Sequence, residues 1–175
     1  MTTVALKKKL AKIELLIMDV DGVLTNGKIN VMSDGNELKM FDVQDGMGIV
    51  LFHRAGFKTG IISARANKAT DVRAKDLGIS KVYQGVHPKT DAYSKMLKEL
   101  KVKNEKVCFI GDDLTDICMF DKVGVAVSVP NGVGEVKKRV HFITKNRGGE
   151  GAVRELIEMI LKAKGLWKNI VKELS

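Results

Sequence analysis

Asp19 and Asp21 sit one residue apart where the apolar run Ile13–Met18 ends, and Asp112 and Asp113 follow the run Lys106–Ile110 in the same way. Clustered carboxylates repel one another and raise each other's pKa unless a cation lies among them. An all-oxygen set suits a hard ion, and Mg²⁺ typically takes one or two carboxylates with waters and phosphate oxygens. An aspartate can also attack phosphorus to form an aspartyl-phosphate. A second aspartate can protonate the leaving oxygen and then take a proton from the water that cleaves the intermediate. A phosphoryl group in transfer needs its charge met by a metal, a lysine and hydroxyl or backbone donors. Asp19, Asp21 and Asp112 for metal, Lys89 for charge and Ser63 for a hydrogen bond supply every part. One such aspartate alone reads more readily as a turn or helix cap, and only the set together points to a metal site.

These residues need elements that bring them together. Thr59–Ser63, Lys81–Tyr83, Lys106–Ile110, Val123–Val127 and His141–Ile143 read as strands. Helices are expected over Gly46–Ala55, Asn67–Leu77, Thr90–Leu100, Thr115–Asp121, Gly134–Arg139 and Gly151–Lys164, with one more over Leu166–Leu174. Strands alternating with helices imply an α/β fold, a doubly wound, mostly parallel sheet covered on both faces. Ligands of such sheets sit beyond the carboxyl ends of the strands, where Asp19, Asp21, Ser63 and Asp112 fall, with Lys89 beside them. Lys28–Met32 and Glu37–Phe41 flank the turn cluster Ser33-Asp34-Gly35-Asn36, a hairpin signal, so residues 27–41 are expected to project as a flap beside the same rim.

The 175 residues suit one domain spanning 1–175, with a tail and helix over 146–175. Lys and Arg number 30 against 21 Asp and Glu, a net charge of +9. The lysines are spread out and aromatics are 5%, which argues for solvated faces over nucleic-acid binding and suits an anionic, phosphorylated small substrate. No run is long enough to span a bilayer, and the opening MTTVALKKKLAK lacks a signal peptide's apolar stretch, so the cytosol is the expected location. Cys108 and Cys118 read as small apolar residues, and His53, His87 and His141 are too scattered for a metal cluster.

Asp19-Val20-Asp21-Gly22-Val23-Leu24-Thr25 resembles the first motif of the haloacid dehalogenase superfamily of phosphotransferases. Ser63 resembles its second, Lys89 its third and Gly111-Asp112-Asp113-Leu114-Thr115-Asp116 its fourth. The resemblance implies Asp19 as nucleophile and Asp21 as general acid/base. It implies Mg²⁺ on Asp19, Asp112 and the main-chain carbonyl of Asp21, with Asp113 and Asp116 holding the metal site and Lys89 in place. Asp113 alternatively caps the helix that follows. The absence of a large cap, the hairpin, Asp42-Val43-Gln44-Asp45-Gly46, Ile62-Ser63-Ala64-Arg65 and Gly148-Gly149-Glu150-Gly151-Ala152-Val153-Arg154-Glu155 resemble, more narrowly, the 3-deoxy-D-manno-octulosonate 8-phosphate phosphatase family. That family is a Mg²⁺-dependent homotetramer of lipopolysaccharide synthesis. The resemblance implies Asp42, Val43, Gln44, Asp45 and Gly46 at the sugar, and Arg65 and Arg73 at its anionic groups. It also implies packed hairpins and a glycine-rich tail entering a neighbour's site. Arg73 reads equally as a solvent-facing ion pair, and Gly148–Gly151 as a connector before a helix. Val50, where some relatives carry arginine, and Ala64, where glycine is commoner, depart from the pattern. They leave a related nine-carbon, sialic-type 9-phosphate open as substrate. A phospho-acceptor switch shares the parts but places its accepting aspartate at a later strand.

Overall fold

Four-residue apolar stretches with no polar face must be covered on both sides, and the chain covers them with helices. The computed structural model describes residues 3–174; residues 1, 2 and 175 of the expected domain lie outside the described residues. Along the chain run α1 (Val4–Leu10), β1 (Leu15–Met18), the hairpin β2 (Asn30–Val31) and β3 (Glu37–Leu38), α2 (Val43–Arg54), β4 (Lys58–Ile62), α3 (Lys68–Asp76) and β5 (Lys81–Tyr83). Then follow α4 (Lys89–Leu100), β6 (Val107–Ile110), α5 (Ile117–Phe120), β7 (Val125–Ser128), α6 (Gly134–Lys137), β8 (Phe142–Ile143), α7 (Ala152–Ala163) and α8 (Trp167–Glu173). Six strands form one sheet in the order β5-β4-β1-β6-β7-β8, with every pairing parallel. The central strand alternates: Leu16 and Met18 face a core with Phe52, Leu156 and Ile160, while Leu15 and Ile17 face one with Tyr93, Met96 and Phe120. The first core is closed by α1, α2, α3 and α7 and the second by α4, α5 and α6. No helix among the described residues is long and apolar enough to cross a membrane.

Elements differ from expectation mainly at their ends, for local reasons. Helix α2 begins at Val43 rather than Gly46, because Asp42 Oδ1 accepts from the Gln44 and Asp45 amides at 2.6 and 3.0 Å and caps it. The hairpin pairs over only two residues per strand, and its turn is closed by the Met32 amide on the Asn36 carbonyl at 2.8 Å. Helix α1 is an element the motif reading passes over. Thr3 caps it, and Leu6 and Leu10, one turn apart, pack into the core on α7.

The α2–α7 contact carries much of that first core, and Leu156 within it is fully buried. Leu156→Ala is expected to cost roughly 2–5 kcal/mol by urea unfolding. A loss under about 1 kcal/mol would mean the α7 seam is not packed as described.

Candidate active site

The end of the central strand sets the geometry. The Asp19 amide donates to the Ile110 carbonyl at 3.1 Å, which extends the β1–β6 ladder one residue and places Asp19 and Asp112 on neighbouring strand ends. Carboxylate oxygens of Asp19, Asp112 and Asp116 lie within 4.8 Å of one another. Lys89, in the first turn of α4, is fully buried behind them and donates to Asp19 Oδ1 at 2.8 Å and Asp116 Oδ1 at 2.6 Å. The other oxygen of Asp116 accepts from the Asp112 and Asp113 amides at 2.9 and 3.2 Å, so Asp116 is fully engaged by the protein. Asp112 Oδ1 is buried with no partner. In front lies an open cleft of about 330 Å³ lined by Asp19, Asp21, Ser63, Arg65, Asp112 and Asp113, with Ala64 beside Ser63.

These charges are strongly perturbed. Burial pushes Asp112 up to about 8, helped by the neighbouring Asp19, Asp116 and Asp113. Burial likewise pushes Asp19 up to about 6, against the pull of Lys89. Burial alone would lower the Lys89 ammonium, but Asp19 and Asp116 overcome it and hold the pKa above its ordinary value. An unpartnered oxygen on Asp112, next to a second carboxylate that resists ionisation, fits a hard divalent cation with room for water and a phosphate oxygen.

The Asp21 side chain is not in that cluster. It turns toward the flap, where Lys39 donates to Oδ1 and Arg65 Nε lies 3.5 Å from Oδ2. Arg65 also donates to Glu37 Oε1 at 2.6 Å, and Asn67 Nδ2 donates to Glu37 Oε2 at 3.2 Å. Strand β3 and the residue after it thus strap the hairpin to the rim through Glu37 and Lys39, which the motif reading missed. Their one visible signal was alternation: two residues apart on an extended arm, they share a face.

Ser63 stands in the cleft with its Oγ accepting from the Arg65 amide at 3.3 Å. Asp113 is exposed and caps the turn after β6, its Oδ1 accepting from the Leu114 amide at 2.8 Å. The 42–46 stretch does not line this cleft. Asp42 caps α2, Val43 and Gln44 are exposed, and Asp45 is buried, accepting the Arg154 amide of α7 at 2.7 Å. Burial pushes Asp45 up to about 6, with Asp42 adding to it. Arg73 lies against Gly46, Nη2 donating to the Asp42 carbonyl at 3.5 Å, and borders a separate pocket of about 830 Å³ between flap and α3. That position is neither the open cleft nor a solvent-facing ion pair. Gly148 and Gly149 also depart from expectation: they pack on their own chain, the Gly149 amide donating to the Val23 carbonyl at 2.9 Å. The start of the segment is therefore tied beside the chain's own first motif.

A haloacid dehalogenase-like hydrolase family model matches residues 59–156. The 3-deoxy-D-manno-octulosonate 8-phosphate phosphatase of Escherichia coli K12 is 40% identical over 157 residues, 90% of this chain and 84% of that protein. The structure of the Moraxella catarrhalis 3-deoxy-D-manno-octulosonate 8-phosphate phosphatase, in complex with magnesium ion, phosphate ion and KDO, is 38% identical. It superposes with a TM-score of 0.94 over 97% of each chain. A cobalt-bound Haemophilus influenzae deoxy-D-mannose-octulosonate 8-phosphate phosphatase is 35% identical with a TM-score of 0.88, covering 91% of this chain and 93% of that one. With identity of this level along nearly its whole length, the chain belongs to the 3-deoxy-D-manno-octulosonate 8-phosphate phosphatases of the haloacid dehalogenase-like hydrolases.

Proposed function

We infer that the chain is a Mg²⁺-dependent phosphomonoesterase that releases inorganic phosphate from 3-deoxy-D-manno-octulosonate 8-phosphate, in the cytosol, for lipopolysaccharide synthesis. The observation that carries this is the meeting of Asp19, Asp112 and Asp116 around the buried Lys89 ammonium at the floor of an open cleft.

Asp19 attacks phosphorus, the bond from phosphorus to the sugar oxygen breaks, and the Asp21 carboxyl gives that oxygen its proton. Asp21, now a carboxylate, takes a proton from water, whose oxygen attacks phosphorus and breaks the bond to Asp19. Lys89 holds Asp19 in line and offsets negative charge. Ser63 offers a hydroxyl to a phosphate oxygen. Asp19, Asp112 and the main-chain carbonyl of Asp21 would hold Mg²⁺, which when bound supplies positive charge to the phosphoryl oxygens. Asp116 and Asp113 hold the β6–α5 turn behind them.

A rim this open leaves the substrate wet, so burial of the sugar falls to further copies of the chain. The flap exposes Ile29, Val31, Met32, Leu38 and Met40, an apolar surface suited to packing hairpin on hairpin in a homotetramer. The 42–46 stretch, Arg65 and Arg73 are proposed to meet the sugar acid within that assembly, across the flap pocket. The domain runs the length of the chain.

Phosphate release should be followed over eight- and nine-carbon sugar-acid phosphates, with and without Mg²⁺, beside Asp19→Asn. Metal-dependent turnover favouring the eight-carbon acid is expected, with the variant slower by about 10³-fold or more. Undiminished turnover in the variant would remove Asp19 as nucleophile, and a long-lived phosphoprotein without turnover would make the chain a switch.

Raised carboxyl pKa values also fix a stability trend. Between the unfolded value of 3.8 and about 8 for Asp112, or about 6 for Asp19, the native chain holds protons the unfolded chain has lost. Metal-free stability therefore falls as pH rises through this window. The melting temperature without metal should drop from about pH 6 to about pH 8.5, and Mg²⁺ should raise it more at the higher pH. Equal Mg²⁺ gains at both pH values would argue against Asp112 as a ligand.

A further inference from the structure

We propose that Asn131, which contributes no atom to the cleft, is a positioning residue that sets the spacing between the two walls of the cation site. The inference rests on the reading of Asp19 and Asp112 as metal ligands. One wall is the turn after Asp21, made by Gly22 at φ +94°, and the other is Asp112. The two touch: a methyl group on Gly22 would come within 2.0 Å of Asp112 Oδ2. Asn131 Nδ2 donates to the Gly22 carbonyl at 2.8 Å. Two residues later the Val133 amide donates to the Asp112 carbonyl at 2.9 Å, so one short loop grips both walls.

The same amide group does a second job. Asn131 Oδ1 accepts from the Gly148 amide at 2.8 Å, which pins the glycine tether against Gly22. The fit is close, since a methyl on Gly148 would fall 1.7 Å from the Gly22 carbonyl oxygen. Asparagine supplies a donor and an acceptor on one short planar group. Aspartate in its place keeps the acceptor toward Gly148 but sets a carboxylate against the Gly22 carbonyl. The two functions are therefore separable by one substitution.

The test uses the full chain as wild type, Asn131→Asp, Asn131→Ala and Asp19→Asn. Calorimetric titration and melting shifts read MgCl₂ alone, and phosphate release gives KM and kcat. Asn131→Asp, which keeps the Gly148 bond, should melt no lower than Asn131→Ala without metal yet need about tenfold more Mg²⁺ than wild type for half-saturation, with kcat reduced and KM within about twofold at saturating metal. Asn131→Ala should lose both metal affinity and melting temperature. Wild-type Mg²⁺ titration in Asn131→Asp would overturn the proposal, as would a loss in affinity only in Asn131→Ala and only in step with its melting. A wild-type chain that neither binds Mg²⁺ nor releases phosphate would instead overturn the functional reading.

Discussion

A single buried ammonium organises this protein. Lys89 is wholly removed from solvent, and a cation so placed costs several kcal/mol unless its field is answered nearby. Asp19 and Asp116 answer it from two directions, one from the end of β1 and the other from the turn after β6. Because Asp116 spends its remaining oxygen on the amides of Asp112 and Asp113, the backbone that presents Asp112 is shaped by the same charge. Three chain segments far apart in sequence are thereby drawn to one point. Removing the ammonium would strand two carboxylates in a poorly hydrated place, which is why its role in charge compensation and its role in folding cannot be varied independently.

Much of this was legible in the sequence, because a parallel sheet turns sequence into geometry in a simple way. Apolar runs that stop abruptly mark strand ends, and those ends share a rim. Asp19, Ser63 and Asp112 fell where that rule put them. Lys89 was placed beside them by the same reading, although nothing local says that a lysine at a helix start is buried, and Asp116 needed the resemblance. Lys39 and Glu37 escaped because their partners, Asp21 and Arg65, lie across a fold-dependent gap. Asp45 was named only through the resemblance, and its service to the amide of Arg154, opening a different helix, α7, had no local signal. Local pattern gives elements and their ends. It does not say which helix terminus will face which side chain.

Two kinds of attachment hold the rim. Below the cleft, apolar cores on both sheet faces fix the strand ends through packing spread over many side chains. Above it, the flap is joined by ion pairs and hydrogen bonds, through Glu37 to Arg65 and Asn67 and through Lys39 to Asp21, with Phe41 at its base against the first core. Contacts of the second kind weaken with ionic strength where they meet water, whereas the first kind do not.

The flap is poor in internal pairing. Two residues per strand are too few to hold a ribbon in water by themselves, and its greasy outer edge gains nothing from a solitary chain. In the homotetramer proposed above, its order would follow mass action. Dilution alone, with every covalent bond and every core contact intact, would then loosen the flap over the chemistry.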